Sequence, residues 1–176
     1  PSSQAEVAIA GRSNAGKSSA INALAQRHRL AFVSKTPGRT QQINFFSLGS
    51  ERFLVDLPGY GYAKVPRGMK SEWELLISAY LQLRPQLRGL ILVMDIRYPM
   101  KPIDRQLLGW FAGTGKPAHI LLTKSDKLGR QAAVEQLRST TKMLAADFPE
   151  VSVQLFSAQT RVGIDEAEVV LNRWYT

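Results

Sequence analysis

No cysteine occurs among the 176 residues, which excludes both a disulfide framework and a thiolate metal centre. Long hydrophobic runs are missing too. The longest, Leu90 to Met94, is far too short to cross a bilayer. No signal-peptide pattern is visible, so the expected location is cytoplasmic, with no membrane contact. The chain begins at Pro1 rather than at a methionine, which leaves open what precedes it. Acidic residues are absent from one long stretch. From Val7 to Ser50 there is no Asp or Glu, while Arg12, Lys17, Arg27, Arg29, Lys35 and Arg39 all fall there. The formal net charge is +9, which points to a polyanionic partner; a merely solvated basic surface is the plainer alternative. Internal repeats, linkers and low-complexity segments are also lacking. Residues 1–176, with 44% hydrophobic composition, read as a single domain with one core.

What is present begins with Gly11-Arg12-Ser13-Asn14-Ala15-Gly16-Lys17-Ser18, followed by Ser19. It fits G-x-x-x-x-G-K-[ST], a spacing with a specific physical use. The glycines let backbone N–H groups turn inward and cradle phosphate oxygens. Lys17 would place its ammonium on the β- and γ-phosphates, and the Ser18 hydroxyl would ligate Mg2+. A helix starting near Lys17 would point its positive dipole end at the same phosphates.

Glu6 to Ala10 reads as the buried strand entering this loop, and Ser18 to Leu24 as the helix leaving it. Gln26 to Thr40 is polar, basic and broken by Pro37-Gly38, a mobile loop in expectation. Gln42 to Leu48 and Arg52 to Asp56 form an antiparallel hairpin about Gly49-Ser50, and Leu57 to Arg67 is a second mobile loop. Helices follow over Met69–Arg84, Ile103–Ala112, Arg130–Phe148 and Gly163–Trp174. They alternate with strands Leu90–Met94, Ala118–Leu122 and Val151–Phe156. In the third of these helices Val134, Leu137, Leu144 and Phe148 keep the inward spacing. This alternation predicts a three-layer α/β fold: a mostly parallel six-stranded sheet with one antiparallel hairpin strand and helices on both faces. Ligands in such folds bind at the strand C-termini.

The other strand ends carry the matching chemistry. Asp56-Leu57-Pro58-Gly59 closes the hairpin: Asp56 can hold a Mg2+-bound water, and Gly59 leaves its N–H free to approach a γ-phosphate. Thr123-Lys124-Ser125-Asp126 ends a later strand. Asp126 accepts only, so it suits the N1–H and 2-amino donors of guanine and penalises adenine. The Lys124 stem can cover the face of the base, although Ser125 or Asp126 could equally serve as a helix cap. Phe156-Ser157-Ala158 ends the last strand, where backbone N–H groups are free to meet guanine O6. These signals, in this order, describe a site for GTP and GDP. A P-loop ATPase or nucleotide kinase would share Gly11 to Ser18 but would not need Asp126.

With those motifs the sequence resembles the TRAFAC-class small GTPases, and closely the EngB (YihA) family of bacterial ribosome-assembly GTPases. The resemblance runs from Glu6 to Tyr175. It rests on Gly11 to Ser19, on Ser34-Lys-Thr-Pro-Gly-Arg-Thr-Gln41, on Asp56-Leu-Pro-Gly-Tyr-Gly-Tyr-Ala63 and on Met94-Asp-Ile-Arg97. It implies that Thr40 is the threonine that ligates Mg2+ beside Ser18 when GTP is bound; spacing alone would not choose between Thr36 and Thr40. It places Gly38, Arg39, Gln41 and Gln42 beside the nucleotide, and gives catalytic roles to Lys17, Thr40, Gly59 and Asn14. Asn14 stands where K+-activated GTPases carry a metal-binding asparagine; the alternative is an Asx-type bond within the loop. Thr123 stands where many GTPases have asparagine, a common variant. Tyr60 takes the place of the water-positioning glutamine of Ras-like proteins, which implies slow unassisted hydrolysis and leaves open a nucleotide-gated scaffold with negligible turnover. The family implies binding to the large ribosomal subunit, its rRNA and ribosomal proteins, late in assembly, with a link to cell division and septation; a monomer is expected.

Overall fold

The computed structural model of the chain describes residues 4–28, 31–35, 43–60 and 67–176, with backbone only for 26–28, 31–35 and 67–73. The elements in order are β1 (Ala5–Gly11), α1 (Lys17–His28), β2 (Ala31–Lys35), β3 (Asn44–Gly49), β4 (Arg52–Asp56) and α2 (Arg67–Leu83). They continue with β5 (Leu87–Asp95), α3 (Pro102–Ala112), β6 (Ala118–Thr123), α4 (Arg130–Asp147), β7 (Val151–Leu155) and α5 (Ile164–Tyr175). A single 3-10 turn, Ser125–Lys127, joins β6 to α4.

β5 shows why these segments fold as they do. Its Leu90, Leu92 and Met94 point to one face of the sheet, and Ile91 and Val93 to the other, each buried. A strand apolar on both faces needs cover on both. Ile77 and Leu81 of α2, Leu107 and Phe111 of α3, and Leu144 of α4 supply one layer. Ala20 and Leu24 of α1, with Ala167 and Leu171 of α5, supply the other. On α4 the inward stripe includes Ala133, Thr140 and Leu144, while Val134, expected inside, is 43% exposed. At 100° per residue the helix turns the neighbouring position inward, and Ala133 leaves room for it to pack closely.

The sheet order is β2-β3-β4-β1-β5-β6-β7. Among the described residues only β3 runs against the rest, as the hairpin predicts, pairing antiparallel with both β2 and β4. β2 corrects the sequence reading. It is a seventh strand, lying within the stretch 26–40 that was expected to be loop throughout. Its apolar signal, Ala31-Phe32-Val33, is three residues long amid polar and basic neighbours, and it owes its form to pairing with β3 rather than to periodicity.

Chain direction brings the C-terminal ends of β1, β4, β5, β6 and β7 to one edge. The opposite edge is pinned by Glu6, which is 1% exposed at the start of β1. Its carboxylate accepts from Tyr80 Oη at 2.6 Å and from Arg84 Nη2 at 2.7 Å. Burial and then the Glu6 charge push the Tyr80 phenol far above its ordinary range, so it stays a donor. The C-terminal end of α2 is thereby fastened to the central strand.

Candidate guanine-nucleotide site

The phosphate loop is shaped by contacts beneath it. A Cβ on Gly11 would lie 2.2 Å from Val93 Cγ2 and 2.9 Å from Val93 O, so only glycine lets β1 pass β5 here. The chain then turns through Asn14 (φ +66°) and Gly16 (φ +90°) into α1 at Lys17. No acidic residue occupies the first turn of α1, which leaves its N-terminal N–H groups and dipole to an anion. Arg12, Ser13, Asn14, Lys17, Ser18 and Gly59 line a cavity of about 440 Å3 at this loop.

Asp56, at the end of β4, forms an ion pair with Lys17 Nζ across the mouth of the loop. The residue that would hold Mg2+ through water therefore faces the residue that would hold phosphate. Asn44 Nδ2 of β3 lies 3.5 Å from the other Asp56 oxygen. Leu57 is fully buried, and its N–H donates to Ile9 O at 3.0 Å, so it anchors the segment rather than facing the cavity. Pro58 is buried as well. Gly59 rests on the loop; a Cβ there would sit 3.5 Å from Ser13 Oγ.

Tyr60 shows how this segment is held. Its N–H donates to Gly11 O at 3.3 Å, and its carbonyl accepts from Ser13 N at 2.6 Å, a parallel bridge between loop and segment. Its ring is buried among the side chains of the α2–α3–α4 layer, and its hydroxyl donates to Asp104 Oδ1 at 2.6 Å. Burial, then the Asp104 carboxylate, raise the Tyr60 pKa well above ordinary. Asp104 is itself shifted upward by burial, against the pull of the Tyr60 hydrogen bond. The side chain standing in the glutamine's place thus points into the core.

A second cavity of about 180 Å3 shares Gly16, Ser19 and Lys124 with the first, and Asp126, Phe156 and Ala158 help to wall it. From the sequence, the base is expected on this side. Ser157 Oγ donates to Asp126 Oδ1 at 2.7 Å, and Thr160 N donates to that same Oγ at 3.1 Å, fixing the hydroxyl's direction. Ser125 N donates to Phe156 O at 3.1 Å, so the two loops are sewn together beneath the base position. Phe156 itself is 1% exposed and serves as wall and backbone anchor. Lys124 adopts a left-handed backbone (φ +59°), and its ammonium donates to Asn14 O at 2.7 Å, laying the stem along the cavity. The Thr123 hydroxyl is buried and meets the carbonyls of Ala15 and, at 3.1 Å, Met94. Thr123 therefore staples the phosphate loop from below.

The structure thus brings together Gly11 to Ser19, Asp56 to Gly59, Thr123 to Asp126 and Phe156 to Ala158. Gly38, Arg39, Thr40, Gln41 and Gln42 lie outside the described residues. One participant carried no assigned role in the sequence reading. Asp95, ending β5, accepts from Arg97 N (2.9 Å), Nε (3.0 Å) and Nη2 (2.7 Å), and sits 3.4 Å from Lys124 Nζ. Burial alone would raise its pKa, but the Arg97 bonds outweigh it and lower it below the ordinary value. The available signal was position, since Asp95 lies where the other site residues lie, at a strand's C-terminal end.

Comparison with known proteins agrees with this geometry. Residues 6–124 match the family described as 50S ribosome-binding GTPase. A probable GTP-binding protein EngB from Methylobacillus flagellatus is 60% identical over 169 residues, covering 96% of this chain and 82% of that protein. One from Thiobacillus denitrificans is 60% identical over 174 residues, covering 99% and 84%. Among solved structures, a probable GTP-binding protein engB superposes with a TM-score of 0.76 at 20% identity, over 97% of this chain and 98% of that one. The G domain of the T. maritima FeoB iron transporter gives 0.63 at 24% identity, over 98% and 99%. With identities of 60% across nearly its whole length, on a fold and nucleotide site of this kind, the chain belongs to the EngB family of GTP-binding, GTP-hydrolysing P-loop proteins.

Proposed function

We propose that this GTPase is a molecular switch that binds the large ribosomal subunit late in its assembly in the cytoplasm, coupling that step to normal division and septation. The observation that carries the reading is the clasp at Tyr60. The segment leading to α2 is bonded directly to the phosphate loop, so whatever the loop holds bears on the position of that segment. Ligand and partner then become linked through their differential affinity for the two arrangements. A family described as 50S ribosome-binding and a net charge of +9 both support an RNA-rich partner.

The residues fit Mg2+-GTP. Ser18 and Thr40 would ligate the metal and Asp56 would hold it through water, while Lys17 would leave its carboxylate partner for the phosphates. When bound, the metal supplies charge neutralisation at the leaving phosphate oxygens. The Tyr60 hydroxyl is committed to Asp104, so the side chain in the glutamine's place does not orient water and unassisted hydrolysis is slow. Asn14 is the candidate for holding K+ beside the phosphates. It is exposed, its carbonyl is taken by Lys124, and among the described residues its side chain makes no Asx-type bond.

Sedimentation with purified large-subunit particles tests the proposal. Binding is expected to be tighter with a non-hydrolysable GTP analogue than with GDP, and to fall steeply between two salt concentrations. Charge reversal at Arg29, Lys35 or Arg67, in segments whose side chains lie outside the description, should weaken it with GTP affinity nearly unchanged. Equal binding in both nucleotide states would overturn the switch.

A further inference from the structure

Arg88 is the only charged residue of β5 before its last position, in a strand otherwise buried from end to end. Its placement follows from a register shift. Glu6 stands opposite Leu87 and Val7 opposite Gly89, so Arg88 is the extra residue of a β-bulge, and its side chain is exposed. A bulge turns a side chain out of the regular alternation. Beside it, a Cβ on Gly89 would fall 2.5 Å from Trp174 Cε3, so the indole of α5 lies directly against the β5 backbone. The preceding α5 residue, Arg173, is exposed. On the β6 side, Lys116 donates to Arg84 O at 3.1 Å, which holds its ammonium near this edge. Burial and then the Arg88 charge lower the Lys116 pKa, against the pull of the Glu6 carboxylate. Arg84 is already committed to Glu6, and among the described residues none of Arg88, Lys116 and Arg173 is held in an ion pair. Asp147 and Glu150 share a cavity with Lys116 and bound the cluster there.

We propose that Arg88, Lys116 and Arg173, at the end of the sheet opposite the nucleotide, form a second contact for the phosphate backbone of RNA, independent of the bound nucleotide. This rests on the reading of the protein as a large-subunit binder and adds a surface to it. Three cations with no ion-pair partner among the described residues suit a run of phosphates, which a folded RNA supplies, while Asp147 and Glu150 limit the patch on the Lys116 side. None of the three lies on the phosphate loop, the Asp56–Tyr60 segment or the base loops. Their contribution is therefore the same with GTP and with GDP, whereas the switch segments supply the difference between those states.

The test is the triple variant Arg88→Gln, Lys116→Gln, Arg173→Gln, measured for binding to large-subunit particles and to naked large-subunit RNA across a salt series. Each lost phosphate contact lowers the slope of log affinity against log salt by about one, so the triple variant is expected to lose about three. The loss should be equal with the GTP analogue and with GDP, and GTP affinity should be unchanged. The single variant Arg173→Gln, on an exposed turn of α5, should lose about one and serves if the triple variant folds poorly. An unchanged slope while the parent chain still binds would overturn this contact and leave the switch standing. A loss on particles but not on naked RNA would overturn the RNA assignment in favour of a ribosomal protein. Failure of the parent chain to bind either would overturn both readings.

Discussion

Asp126 works as one end of a relay. Thr160 N fixes Ser157 Oγ, and Ser157 fixes one Asp126 oxygen, so the remaining acceptor positions face the base cavity in a set direction. Asp126 is exposed in the free chain, and a base seated on it would take the carboxylate out of water, so a base that cannot donate would be disfavoured. Asp126→Asn should lower GTP affinity at least about a hundredfold and raise affinity for xanthosine triphosphate, whose C2 carbonyl accepts from the new amide. Equilibrium titration with both nucleotides checks it, and undiminished GTP binding would refute the assignment. Asn14 makes a kinetic prediction: hydrolysis should be faster in KCl than in NaCl at matched ionic strength, and Asn14→Ala should abolish the difference. At this scale the sequence was legible where a motif fixes a residue's place in the fold, as at Lys17 and Asp126, each of which lines a cavity. It was not legible where the partner is another side chain far along the chain. The role of Tyr60 depends on Asp104, 44 residues away, and Thr123 turns its hydroxyl to Ala15, 108 residues away.

Most elements were legible because burial imposes a period on them. β5 could be read from its continuous apolar run, whereas β2 depends on a neighbour's backbone and leaves almost no pattern of its own. Polar ties between elements are equally silent in sequence. His119 of β6 is buried between two residues of β7, with Nδ1 2.6 Å from Ser152 Oγ and Nε2 2.8 Å from Gln154 Oε1. Gln154 Nε2 donates to Leu155 O and to Gly163 O, so its oxygen accepts; Nε2 of the imidazole must carry the proton and Nδ1 accept from Ser152. Burial lowers the His119 pKa below 6.5, against the raising effect of the Gln154 bond. The unfolded chain therefore binds the proton more readily than the folded one. The stability this contributes is complete above about pH 6.5 and is lost as the pH falls through the lower folded value. The urea midpoint should drop between pH 7.5 and pH 5, and His119→Gln should flatten that slope. An identical slope in the variant would show that the titration lies elsewhere.

Taken whole, the molecule has two unlike edges. One collects the strand C-termini, the phosphate loop and the base loops. The other is fastened by Glu6 to Tyr80 and Arg84 at the far end of α2. That fastening governs how α2 can travel. A helix of 17 residues is about 25 Å long, and this one is nailed at its tail while its head follows the segment clasped to the phosphate loop. It cannot slide lengthwise without pulling the Glu6 carboxylate out of the sheet, so its remaining freedom is to swing, like a door hung at Arg84. Any displacement would then be greatest at the head of the helix and die away toward Arg84. A nucleotide-driven swing of that kind would leave the edge that carries Arg88 and Lys116 still while the opposite edge changed.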